Sequence, residues 1–103
     1  MVLLEFSIFP MDKGESVSPY VARCLDIVEH SGLDYRTSAM GTIIEGELDD
    51  VLGVLGRCFA ELEKDCGRIS CTAKFDSRRG AAGRLEAKVK SVEEKLGHPL
   101  KKG

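Results

Sequence analysis

Four polar side chains set within two apolar segments carry most of the chemical potential of this sequence: Glu5 and Ser7 in the first, Glu45 and Glu47 in the second. Each pair is separated by one residue, so in an extended strand both members project from the same face. Two such strands side by side would gather three carboxylates and a hydroxyl on one surface. Partly covered carboxylates need a cation or hydrogen-bond donors, and a cationic ligand or Lys74 would serve. The acids could in principle act as acid and base, but His30 and His98 fall at the ends of predicted helices with no nucleophile paired to them. These residues therefore point to binding rather than catalysis. A second constellation, Arg78-Arg79-Gly80, combines guanidinium groups with flexible backbone N–H donors and is a candidate site for phosphate or sulfate.

Other chemistries find less support. Cys24, Cys58, Cys66 and Cys71 contain no CxxC pair, and their spacing fits no zinc module, so no metal or cofactor is required. Cys24 and Cys58 fall on predicted apolar helical stripes, where a free thiol behaves as a small hydrophobe. A formal charge of −2, with 15 basic and 17 acidic residues well mixed, gives no electrostatic reason to bind nucleic acid. Carboxylates in place of aromatic rings on the exposed sheet face argue the same way, because single-stranded bases are read by stacking. No apolar run approaches the roughly 20 residues of a membrane span. The apolar start, Met1 to Phe9, has no basic region, carries Glu5 and lacks a small-residue cleavage site, so it reads as a strand of a cytoplasmic protein.

The elements that must position these groups follow from periodicity. Val2, Leu4, Phe6 and Ile8 alternate with Leu3, Glu5, Ser7 and Phe9, and Pro10 ends the strand. Ser18-Pro19 predicts a helix start, with Ser18 as cap, and Val21, Cys24, Leu25 and Val28 repeat at helical spacing to His30 before Ser31-Gly32. Asp34–Ala39 and Thr42–Leu48 form a predicted hairpin around Met40-Gly41. Asp49 caps a second helix with the stripe Leu52, Leu55, Phe59 and Leu62, Val51 and Cys58 alongside, closed by Gly67. Arg68–Asp76 alternates Ile69, Cys71, Ala73 and Phe75 against Ser70, Thr72 and Lys74. A basic glycine-rich loop, Ser77 to Gly83, leads to a third amphipathic helix marked by Leu85, Val89, Val92 and Leu96, then a polar tail.

With 103 residues, the expectation is one domain over 1–103 of the α+β class: ferredoxin-like β-α-β-β-α-β with a four-stranded antiparallel sheet plus a C-terminal helix. Strands would lie in the order four, one, three, two, with helices on a single face. Val2, Leu4, Phe6, Ile8, Ile44, Gly46 and Leu48 would point inward. Leu3, Glu5, Ser7, Phe9, Ile43, Glu45 and Glu47 would point to an open face, where the apolar members suggest covering by another subunit.

The segments Glu5-Phe6-Ser7, Gly14 to Ala22, Ser31 to Tyr35, Met40 to Glu47, Asp76 to Arg79 and Lys88 to Glu93 together resemble the thiamine-binding protein family, in order and spacing over essentially the whole chain. The resemblance implies a ferredoxin-like subunit assembling through its sheets into dimers and tetramers, a dimer of dimers. It also implies thiamine or its hydroxymethylpyrimidine portion in a pocket near a subunit interface, without catalysis. The ligand neighbourhood so implied comprises Ser7, Met40, Gly41, Thr42 and Glu45, with Ser18 and Tyr20 in the segment closing the pocket. Thiamine carries a permanent thiazolium cation and an aminopyrimidine. Glu45 or Glu5 would accept from the exocyclic amine, Ser7 and Thr42 would supply directional hydrogen bonds, and Met40 and Tyr20 a polarizable or aromatic wall. Two other readings remain open: an oligomer whose open face serves only subunit contact, and an enzyme acting on a thiamine precursor.

Overall fold

The structure, a computed structural model, describes residues 1–80 and 83–101. Its elements are β1 (Val2–Pro10), α1 (Ser18–His30), β2 (Asp34–Ser38), β3 (Gly41–Gly46), α2 (Leu48–Glu63), β4 (Ile69–Ser77) and α3 (Arg84–Leu96). The strands form one antiparallel sheet in the order β2-β3-β1-β4. This is the expected ferredoxin-like arrangement followed by a C-terminal helix. Ala81 and Ala82 of the expected basic loop, and Lys102 and Gly103 of the tail, lie outside the described residues.

Alternation decides the packing of the inner face. Leu4 and Ile44 face each other in register between β1 and β3, both fully buried. They join Val2, Phe6, Ile8, Val28, Val51, Val54, Cys58 and Leu62 in the core beneath α1 and α2. Fully burying one such side chain contributes about 1.5–3 kcal/mol. The α2 stripe differs from expectation: Val51, Val54, Cys58 and Leu62 are buried, whereas Leu52 is 44% exposed. The run Val51 to Leu55 offers two overlapping stripes, and contact with β1 and β3 selects the one through Val54.

The helix starts also shift. β3 ends at Gly46, so Glu47 is the exposed N-cap position of α2 and Leu48, 49% exposed, begins the helix instead of pointing inward from a strand. The Glu47 carbonyl accepts from the N–H groups of Asp50 and Val51. Asp49 and Asp50 then sit in the first turn, where negative charge favours the helix dipole. In α1 the N-cap position is Val17, whose carbonyl accepts from Tyr20 and Val21, so Ser18 is already helical and makes no cap bond.

Helices α1 and α2 meet at two cysteines. The Cys24 thiol approaches the Cys58 carbonyl at 3.9 Å and the Cys58 thiol approaches the Cys24 carbonyl at 3.7 Å. The bond with Cys24, together with burial, pushes the Cys58 thiol well above its ordinary range. At the rim Arg23 ties the helices, donating to Glu61 at 3.2 Å and to both oxygens of Asp65 at 3.0 Å.

The other face is not left open, because α3 crosses it over β2 and β3. Leu3, flanked in register by Glu45 and Asp76, is only 9% exposed beneath the start of α3. The cover that its outward position demanded comes from the same chain. On the inner side of β4, an outer strand of the sheet, Ala73 and Phe75 are exposed, Phe75 to 42%.

Candidate functional site

The central acids have different fates. Glu45 is 5% exposed, and its Oε2 accepts from the backbone N–H of Arg84 at 2.9 Å. Arg84 is the first residue of α3, which follows Gly83 in the left-handed conformation (φ 69°) and has no local side-chain cap. Glu45 thus does for α3 what an N-cap carboxylate does, from 39 residues away in sequence. Glu5, paired in register with Ile43 and Lys74, remains exposed. Glu47 has left the sheet.

A charged cluster fixes the start of α3. Arg84, 5% exposed, donates through Nη1 to the Asp76 carbonyl at 3.1 Å and through Nη2 to Asp76 Oδ2, which Lys88 also engages. The Lys88 ammonium, with Arg84 beside it, holds the Asp76 carboxyl below the usual carboxylate range. Arg84 Nε is buried with no acceptor among the described residues. Farther along, Arg36 of β2 donates to Glu86 at 2.8 Å and to Asp34 at 3.0 Å. Asp76 is therefore committed to α3, and Arg78 and Arg79 stay exposed beyond the opposite end of β1 from Ser7.

Two cavities meet at the tip of the β2–β3 hairpin. β1 pairs with β3 only from Val2 to Phe6, so from Ser7 onward its edge on the β3 side has no strand partner among the described residues. The gap holds a cleft of about 230 Å³ lined by Phe6, Ser7, Ile8, Phe9, Val17, Val21, Cys24, Leu25 and residues 37–42. Gly41 makes this close approach possible: a Cβ there would stand 3.0 Å from the Phe6 carbonyl oxygen. Thr42 is 5% exposed, and its hydroxyl shares a 2.9 Å hydrogen bond with that of Thr37. The second cavity, about 630 Å³, lies between the sheet and α3, walled by Glu5, Arg36, Ile43, Leu85, Glu86, Val89, Lys90 and Glu93. Thr37, Ser38 and Gly41 line both.

Of the residues expected at the ligand, Ser7, Met40, Gly41 and Thr42 line the smaller cleft together. Glu45 is held apart at the start of α3. Ser18 is exposed on α1, and the Tyr20 ring lies under the Arg23 guanidinium at 5.6 Å, outside the cleft lining. Phe6, Phe9 and Leu25 are cleft residues that the sequence assigned only to strands and helices. The hydrophobic Phe9 next to Ser7 and Glu5 on a mixed strand face was the available signal. His30 is exposed and turned back on its own helix, its Nδ1 2.8 Å from the Asp26 carbonyl.

Comparison with known proteins gives consistent matches. The sequence profile of the family described as thiamine-binding protein matches residues 4–93. A UPF0045 protein of Methanocaldococcus jannaschii is 34% identical over 93 residues, covering 90% of this chain and 93% of that protein. One from Mycobacterium tuberculosis is 35% identical over 99 residues, covering 95% and 97%. The crystal structure of the Methanocaldococcus protein superposes with a TM-score of 0.83, covering 90% of this chain and 96% of that one. A Thermotoga maritima structure, described as that of a candidate thiamine biosynthesis/salvage protein, shares the fold at 19% identity, with a TM-score of 0.78 over 88% of this chain and 97% of that one.

Proposed function

The chain belongs to the thiamine-binding protein family, and from that premise we propose that it binds thiamine or a related aminopyrimidine, without turning it over, in the cleft beyond Phe6. The observation that carries this reading is the convergence of Ser7, Met40, Gly41 and Thr42 on one cleft. The aminopyrimidine needs both donors and acceptors. The Ser7 and Thr42 hydroxyls and the unpaired β1 edge offer both, between the apolar surfaces of Phe6, Phe9 and Leu25.

Met40, 86% exposed at the cleft, gives an apolar side chain that a second copy would cover. The outer edge of β4, with Phe75 half exposed, also pairs with no strand among the described residues. Unpaired edges of this kind invite another chain. These features support placing the pocket near a subunit interface in a dimer of dimers.

Calorimetric titration with thiamine and hydroxymethylpyrimidine tests the reading. Binding by the wild-type protein and a roughly fivefold or greater loss in Thr42→Val or Ser7→Ala is expected, since an unmet buried polar group on the ligand costs about 1–3 kcal/mol. Absence of heat and of thermal shift with both compounds would refute it. Sedimentation tests the assembly, and a strictly monomeric protein would remove the interface from the proposal.

A further inference from the structure

We propose that the two cavities act as a single two-ended site whose preferred occupant is a phosphorylated thiamine, held by its ring in the small cleft and by its phosphate beside α3. This rests on the aminopyrimidine reading above and adds the class of ligand. The first argument is size. About 230 Å³ falls below the roughly 300–1,000 Å³ of pockets that enclose drug-sized molecules. It suits one heteroaromatic ring, whereas thiamine has two linked rings and a hydroxyethyl arm. The rest of such a ligand must leave the cleft, and the walls shared at Thr37, Ser38 and Gly41 lead into the 630 Å³ cavity.

The second argument is the set of charges that line that cavity. Glu5 lies two residues before Ser7 on β1 and lines the larger cavity beside Arg36, both in register with Ile43; Arg36 is already engaged by Asp34 and Glu86, so an exposed carboxylate is the charge left open there. Of the cavity's other acids, Glu86 is engaged by Arg36, and Glu93 accepts from the Leu100 N–H at 2.5 Å. Lys90 and Lys101 line the same cavity and form no ion pair among the described residues. The two cavities together therefore offer a ring cleft, a carboxylate and free ammonium groups. A thiamine phosphate presents the matching groups: aminopyrimidine, permanent thiazolium cation and an arm ending in a phosphate dianion. Free thiamine satisfies the first two positions and leaves the lysines without an anion. A phosphate of about −1.5 to −2 charge would form charge-assisted hydrogen bonds with them.

The test is parallel calorimetry with thiamine and thiamine monophosphate at low and at physiological salt, on wild type, a Lys90→Gln/Lys101→Gln double variant and Glu5→Gln. The monophosphate should bind wild type about five- to tenfold more tightly than thiamine, a modest gain because exposed ion pairs are screened. The gain should shrink with added salt and fall to within about twofold in the double lysine variant. Glu5→Gln should weaken both compounds, because both carry the thiazolium. If thiamine binds and the monophosphate binds no better, or if its advantage survives loss of both lysines, the two-ended site is overturned while the aminopyrimidine reading stands. If neither compound binds, both fall.

Discussion

The two faces of the sheet are covered by different means. Beneath α1 and α2 lies a core of interlocking apolar side chains, with Leu4, Val28, Ile44, Val51 and Leu62 wholly buried. Beneath α3, the contacts at the helix start are largely charged: Glu45 at the backbone of Arg84, Asp76 between Arg84 and Lys88, Arg36 on Glu86. Leu85 is the one α3 side chain among the buried apolar residues, while Val92 and Leu96 stay about half exposed. The remaining space under α3 is the larger cavity. Apolar packing tolerates no such void, since cores fill to near-crystalline density. A helix attached by a few charged contacts at one end leaves room beneath the other. The first face supplies stability, and the second gives up packing for volume.

The largest test of that contrast is Leu4→Ala, which should cost about 2–5 kcal/mol in urea unfolding, as expected for a fully buried leucine. A cost under 1 kcal/mol would mean that the inner face is not the stabilising one. Next in size, Glu45→Ala should remove about 0.5–2 kcal/mol by leaving the start of α3 uncapped. The loss should appear as faster amide exchange in α3 with α1 and α2 unaffected, and uniform loss across the helices would blur the distinction.

Acid should separate the faces more subtly. The Asp76 carboxyl titrates below its ordinary value, near 3.8, so its contribution is complete above that pH and disappears as pH falls through the lower folded-state value. Glu61 and Asp65 are lowered as well, by Lys64 and Arg23 in the first case and by Arg23 in the second, so the α1–α2 rim loosens in the same direction. In Asp76→Asn, amide shifts at the start of α3 should lose their acid transition while those near Arg23 keep theirs. Smallest of all, Val92→Ala should change stability by no more than about 0.5 kcal/mol, because the side chain is 46% exposed.

Alternation within β1 made the inner face legible, since Val2, Leu4, Phe6 and Ile8 could hardly sit elsewhere. It also gave the sheet order once two crossover helices were recognised. The helix α3 was visible as an amphipathic repeat, yet the face it would cover was not, because that depends on Glu45, Asp76 and Arg36 reaching it from distant positions. The same blindness made Glu45 look like a ligand group: a carboxylate at an outward strand position reads identically whether it meets solvent, a ligand or a helix start. Leu48 and Glu47 were misplaced because nothing in Glu-Gly-Glu-Leu-Asp-Asp marks which residue leaves the strand. For the candidate site, it was the family resemblance, not local patterning, that grouped Ser7 with the residues from Met40 to Thr42, which line one cleft. The apolar walls from α1 depended on tertiary packing.

At Gly41, the space left by a missing methyl group acts as a calibrated gap. With the Phe6 carbonyl 3.0 Å from where a Cβ would stand, replacement by alanine would press the hairpin against backbone that has little freedom to retreat. The hairpin is the partition between the two cavities, so the displacement would be transmitted to both at once. A change of one carbon at this position would thus act as a gauge of how finely the distance between two strands sets what the protein can hold.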